Sequence, residues 1–262
     1  MGIIERKERE KEARRNQILD ATERVFQSKG IQIATMDDIA RDAEIAKGTI
    51  YLYYRNKDEL QLGVILRAMD MMHESFQEAA SKENLALKKF QAVGNAYWKF
   101  AEEYPFQFKM TCNADFPLRE NISDEMILEM SEKGSWVWKL LVGIIEEGKI
   151  EGTIKADVQS FSVAMLSWLN TMSVLRFYQK VQENTAKGTA ITAKQSFNFC
   201  TMDFRKVYDL SIATLLSHAV TLEGAKYLPE IRFPSMEELG INPGTALDDL
   251  NLKKKTNESV LV

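Results

Sequence analysis

AKGTIYLYYRNKDEL, residues Ala46–Leu60, is the stretch on which the fold turns. Five of the six residues from Thr49 to Tyr54 are β-branched or aromatic, with Leu52 the exception, and such side chains favour strands. A strand needs a partner, yet no second alternating run lies within reach. As a helix, the segment puts Ile50 and Tyr54 four residues apart on one face, where they can meet Phe26, Ile39 and Ala43. Burial of that face outweighs a propensity deficit of about 0.5 kcal/mol per residue, so the sequence predicts a short helix over about 47–53.

The flanks are helical as well. Ile18, Ala21, Val25 and Phe26 recur every three to four residues before Gly30, which predicts a first helix over about 8–29. In TMDDIARDA, Thr35 is an N-cap and Asp38 completes a capping-box-like pair, with Ile39, Ala40 and Ala43 on one side. Asn56 caps a longer helix over about 57–80, with Asp58 and Glu59 in its first turn. Two short helices, joined by a bend at Ala43–Ala46 and backed by longer ones, make a helix-turn-helix, whose second helix enters the DNA major groove.

That geometry gives the exposed residues a chemistry. Lys47 and Lys57 can neutralise phosphates, Thr35 and Thr49 can donate hydroxyl hydrogen bonds, Tyr51 and Tyr53 offer hydroxyls on stiff stems, and Gly48 allows close backbone approach. Helix N-termini at Thr35 and Asn56 aim amides at phosphate. The run ERKEREKEARR has six Lys and Arg against four Glu in residues 5–15, and two readings of it stay open: an arm reaching the minor groove, or a solvated helical extension.

The remainder is helical too. Apolar periodicity predicts helices over 85–104, ending at Pro105, then from Ser123 to Gly148–Gly152, over about 157–183, and over about 203–221. A connection at 185–199 is longer than usual, and the segment after Gly224 reads as a tail, on the surface or disordered. The helix around Phe161–Tyr178 is apolar nearly all round and needs more covering than its own domain gives, which a symmetric contact between copies would supply. Charge reversal at Leu215 or Leu216 is then expected to yield monomers that no longer bind DNA.

The formal net charge of −4 argues against a chain coated in positive charge for nucleic acid. Residues 1–60 balance 12 cations against 12 anions while the rest carries 22 against 26, so any nucleic-acid footprint is local. Two cysteines, Cys112 and Cys200, and two distant histidines, His73 and His218, offer no metal-ligand spacing. No catalytic arrangement stands out, so neither enzyme activity nor a cofactor or metal is expected. The charged N-terminus lacks a secretory core, and the 15-residue apolar run Phe161–Leu175 is short of a membrane span. The expectation is a cytoplasmic protein without a membrane anchor.

The stretch TMDDIARDAEIAKGTIYLYYRNKDEL, preceded by RRNQILDATERVFQSKG, resembles the DNA-binding signature of TetR-like transcriptional repressors; IIEEGKIEGTIKADVQSF is similar to that family's passage into its last two helices. The resemblance implies an all-α fold: an N-terminal three-helix helix-turn-helix domain over 1–56, a larger helical ligand-binding and dimerisation domain over 57–224, and a partly irregular tail over 225–262. It also implies that Thr35, Lys47, Thr49, Tyr51, Tyr53 and Lys57 contact DNA, that the protein is a homodimer through its last two helices on a near-palindromic operator, and that a small molecule releases it. Glu44 stands where the family often has Gly, so either it takes a positive φ at some cost or the bend differs there; Ala46 replaces a frequent Ser cap.

Met72, Phe76, Trp98, Phe106, Trp136, Met165, Trp168 and Met172 are the candidate lining of an effector site, which points to a largely apolar or aromatic small molecule. The helix over 57–80 is read as the only direct link from that site to the DNA module. A rival reading makes the protein a DNA-binding adaptor governed by a protein partner, docked on the 185–199 loop or on the tail.

Overall fold

A computed structural model describes residues 2–112, 119–186 and 202–229. They form helices α1 (Ile3–Lys29), α2 (Met36–Asp42), α3 (Lys47–Tyr51), α4 (Lys57–Ser81), α5 (Ala86–Glu103), α6 (Pro105–Cys112), α7 (Asp124–Ile150), α8 (Ser160–Ala186), α9 (Phe204–Ser217) and α10 (Leu222–Ala225), with a 3-10 turn at Arg119–Asn121. No strand occurs among the described residues; one antiparallel bridge joins Ile154 and Val220. The all-α class follows from the periodicity, and the stiff residues of α3 are helical as their burial requires.

Several boundaries differ from those expected from the sequence: α8 is shifted about three residues on, and α9 ends at Ser217 rather than about 221. The recognition helix α3 ends at Tyr51, two residues early, although Tyr54 N–H still donates to the Ile50 carbonyl at 2.9 Å. α1 begins near the N-terminus rather than at residue 8. Pro105 ends one helix and opens another: α6 was missed because proline reads as a stop, although its missing N–H and fixed φ suit a first helical position. The expected loop at 185–199 and the tail lie outside the described residues, except that Thr185 and Ala186 close α8 and the tail's first residues enter α10 and the turn after it; Cys200 lies outside them too.

By contact the chain divides into two compact units, Met1–Lys82 with Asn95–Leu140, and Glu83–Gly94 with Leu141–Val262. In the first, Ile18, Phe26, Ile39, Ala43, Ile50 and Tyr54 share one core with Leu60, Ile65 and Met110. Ile39, Ala40, Ile50 and Tyr54 are all buried, as their role in holding the module together demands. α4 approaches so closely that a Cβ on Gly63 would stand 2.8 Å from Tyr54 Cε1.

α4 is not the only link from the module to the later helices. Arg67 pairs with Asp20 and Glu23 of α1, each at 2.6 Å, Gln107 of α6 donates to Glu23 at 2.8 Å, and Arg15 lies 3.7 Å from Glu129 of α7. Side chains far apart in sequence bridge these helices, which no local pattern joins.

In the second unit α8 packs on α9. Asn170 Nδ2 donates to Ser211 Oγ at 2.8 Å, and Phe204 meets the rings of Phe177 and Tyr178 at 5.5 and 5.6 Å. Ala164, Ser167, Thr171 and Leu175 form the buried side of α8, while Met165, Leu166 and Leu169 are exposed away from it; Phe161 and Phe177 are exposed in part, Phe177 beside Phe204. Leu216, at 1% exposure, is core of its own chain. Charge reversal there would attack the fold before any contact between copies, so α8 carries the better test.

Candidate nucleic-acid interface

The helix-turn-helix is held by its caps. Thr35 Oγ1 accepts from the Asp38 N–H at 3.2 Å while Asp38 Oδ2 accepts from the Thr35 N–H at 3.2 Å, closing the capping box. Lys29 Nζ adds a 2.6 Å hydrogen bond to Asp38. Lys29 first, and then Thr35, pull the Asp38 pKa from 3.8 down to about 2, because both stabilise the carboxylate. Asn56 Oδ1 accepts from the Glu59 N–H at 2.9 Å and opens α4.

Between these caps the bend carries local strain. Glu44 takes φ 54°, alone in that region among the described non-glycine residues, a conformation that costs an L-residue roughly 1–2 kcal/mol. Ala46 provides no side-chain cap to α3. Of the two alternatives at Glu44, the positive φ is the one realised.

Of the candidate DNA contacts, Thr35, Lys47, Gly48 and Tyr51 are exposed, while Thr49, Tyr53 and Lys57 are half-buried. Lys47 Nζ sits 2.8 Å from Asp37, which raises its pKa through the hydrogen bond. Lys57 Nζ donates to the Gln32 carbonyl at 3.0 Å. Tyr53 packs its ring partly against the module core. A Cβ on Gly48 would meet nothing within 4 Å, so the fold itself does not require glycine there. The amides at the N-termini of α2 and α4 are less open than expected, since Thr35 and Asn56 each occupy one with their own side chain.

Two exposed side chains were overlooked. Leu52, 83% exposed at the end of α3, is marked in the sequence only as the residue of its run that is neither β-branched nor aromatic. Arg55 is also exposed, its Nε 3.8 Å from Glu59; its place between Tyr54 and the Asn56 cap was the available signal. Tyr54 itself is fixed by Arg15 Nε, which donates to its hydroxyl at 3.1 Å, and burial raises its pKa.

A buried carboxylate joins this module to α7. Glu59 accepts from the Arg55 N–H at 2.7 Å and from the Ser123 N–H at 3.1 Å. Asn56 Nδ2 donates to the Asn121 carbonyl at 2.8 Å, and Asn121 Nδ2 donates to Asp58 at 2.6 Å. The start of α4 is thereby latched to the chain entering α7.

The aromatic candidates divide between the units. In the first, Phe76 is fully buried and meets Tyr97 and Trp136 at ring distances of 5.5 and 5.6 Å, and His73 stacks on Trp136 at 4.6 Å. Met72 and Trp98 are buried, and Phe106 packs against the helix-turn-helix core. Tyr97 OH lies 3.4 Å from the thiol of buried Cys112, and burial pushes the Tyr97 pKa well up. Met165, Trp168 and Met172 belong to α8 in the other unit, with Met165 on its exposed side. Among the described residues no group of three or more His, Cys, Asp or Glu could hold a metal ion, and no helix is long and apolar enough to cross a membrane.

Residues 18–64, which contain α2, α3 and the bend between them, match the model of bacterial regulatory proteins of the tetR family. The chain is 33% identical over 148 residues to the fatty acid metabolism regulator protein of Bacillus subtilis, covering 53% of itself and 70% of that relative. The chain belongs to the tetR family. A second likeness, to an uncharacterized HTH-type transcriptional regulator of Haemophilus influenzae, is 30% identical over 89 residues and spans 34% of this chain and about half, 48%, of that relative. The fold is shared with the transcriptional regulator FadR of Bacillus subtilis, solved in complex with stearoyl-CoA. That match has a TM-score of 0.58 at 20% identity, and covers 77% of this TetR-family chain and 97% of the other.

Proposed function

We propose that the protein is a homodimeric repressor that binds a near-palindromic operator through α3 and is released by a small, largely apolar effector. The observation that carries the DNA half is the exposed set Lys47, Gly48 and Tyr51 on a helix whose inward Ile50 is fully buried, as is Tyr54 just past its end. On this reading Thr35, Thr49, Tyr53 and Lys57 complete the contacts, with the cations and hydroxyls on phosphate and α3 in the major groove. Lys47 exchanges Asp37 for a phosphate, and Lys57 exchanges the Gln32 carbonyl. The apolar side of α8 supplies the dimer contact, since Met165, Leu166 and Leu169 are exposed there in a single chain. The domain division at residues 56 and 224 belongs to the same reading, as a division of labour.

The effector is an acyl chain or another apolar molecule, taken up near Met72, Phe76, Trp98 and Trp136. A relative named for fatty acid metabolism and a fold neighbour holding stearoyl-CoA support that class. The Glu59 latch then passes a change at α7 to α4 and α3. Linkage requires that effector and DNA weaken one another by the same factor. The test is a titration of purified protein with fatty acids and acyl-CoA esters of increasing chain length, with and without operator DNA recovered from a random-sequence pool. Thermal stabilisation that grows with chain length, together with release of DNA, is the expected result. Failure to retain any duplex from the pool, or equal effector affinity for free and DNA-bound protein, overturns the corresponding half.

A further inference from the structure

α1 is one continuous helix of 27 residues, but only its second half is packed. Ile18, Ala21 and Val25 lie on one row at alternating spacings of three and four, and all are buried. The same row runs back through Arg14, Lys11 and Lys7. So the face that is apolar where the module covers it becomes basic where nothing does: Lys7 and Lys11 are exposed and have no ion pair among the described residues. The acids of the same stretch lie elsewhere. Glu5, Glu8 and Glu12 follow a neighbouring row, Glu10 pairs with Arg6 at 2.7 Å, and Glu12 accepts from Asn16 at 3.3 Å.

The row ends beside the start of the recognition helix. Arg14 donates to Gln17 at 2.7 Å, and Gln17 donates to the Ala43 carbonyl at 2.8 Å, at the bend that leads into α3. Arg15 holds Tyr54 just past the other end of α3. From there residues 4–13 continue as exposed helix for about 15 Å at 1.5 Å per residue, the length of roughly four base pairs at 3.4 Å each. A solvated extension has no need to sort its charges; a rod lying along a polyanion does.

We infer that the first half of α1 is a second DNA contact, in which Lys7 and Lys11 bind the phosphate backbone flanking the sequence read by α3. The inference rests on the DNA reading above and extends it to a surface outside the helix-turn-helix. The contact is sequence-independent, so it acts through affinity and salt dependence rather than base choice.

The experiment compares the full-length protein with its Lys7→Gln/Lys11→Gln variant on a duplex recovered from a random-sequence pool, carrying 15 base pairs beyond the protected core on each side. Each lost phosphate contact lowers the slope of log affinity against log salt by about 0.9. A slope reduced by about 2 per subunit is expected, with loss of flanking hydroxyl-radical protection, an unchanged core footprint and an unchanged Tm. Glu8→Gln, on the acidic row, is expected to lose none of the slope. If wild type binds and the double variant keeps the same slope and flanking protection, the extension does not touch DNA. A wild type that retains no duplex overturns the DNA reading itself.

Discussion

The face of α3 and the outer face of α8 are both open to water in a single chain, yet they are built from opposite materials. α3 shows Lys47, Gly48 and Tyr51, polar or minimal groups over a closed core. α8 shows Met165, Leu166 and Leu169, side chains of core type over a side already packed on α9. The first suits a charged, hydrated partner, because cations and hydroxyls are well solvated until a phosphate replaces the water. The second suits a partner that removes water altogether, such as its own copy. Exposure alone does not distinguish a DNA surface from a dimer surface; the chemistry of what is exposed does.

The contrast breaks first at α8. Leu166→Glu with Leu169→Glu is expected to give monomers in analytical ultracentrifugation and, through lost bivalency, about a hundredfold or greater loss of operator affinity. A dimer that survives both substitutions would remove α8 from the interface. Beneath α3 the largest effect belongs to Tyr54. Tyr54→Ala vacates a site closed by Gly63 and Arg15 and should cost about 3–5 kcal/mol in denaturant unfolding, as for other buried aromatics.

Tyr51→Ala sharpens the comparison from the other side: Tm should hold while operator affinity drops by about tenfold, on the order of 1 kcal/mol. An equal loss of stability at both tyrosines would mean that α3 has no free face. At the bend, Glu44→Gly relieves the positive φ and should stabilise the module by up to about 1 kcal/mol in thermal unfolding. The smallest effect is acidic. Because the Asp38 pKa is lowered in the folded state, its contribution is complete above pH 3.8 and fades as pH falls towards about 2. Asp38→Asn should flatten that acid-side decline, measured as Tm against pH.

Much of this was legible in the chain. The capping pair Thr35 and Asp38, the Asn56 cap and the inward set Ile39, Ile50 and Tyr54 follow from spacing and local hydrogen-bonding chemistry, which act over three or four residues, whereas the strain at Glu44 was signalled only by the family resemblance. α6 was not, since Pro105 signals an end and a beginning with the same residue. Nor were the Glu59–Ser123 latch or the Arg67 pairs with α1, which join positions dozens of residues apart. The candidate effector residues show the same boundary: composition singles out Phe76, Trp136 and Met165 alike, whereas packing buries the first against Tyr97 and leaves Met165 on an exposed side of α8.

By itself, then, the sequence determined the helices, their caps and the inward face of the recognition helix, because periodicity and capping are local. Only the tertiary structure decided which surfaces remain for others. It sorted Leu216 into the core and Leu166 onto the outside, tied the DNA module to α6 and α7, and turned Lys7 and Lys11 from members of a string of charges into an uncovered face. Exposure is a property of what lies opposite a side chain, and that neighbour is fixed by long-range packing rather than by the residue's own stretch of chain.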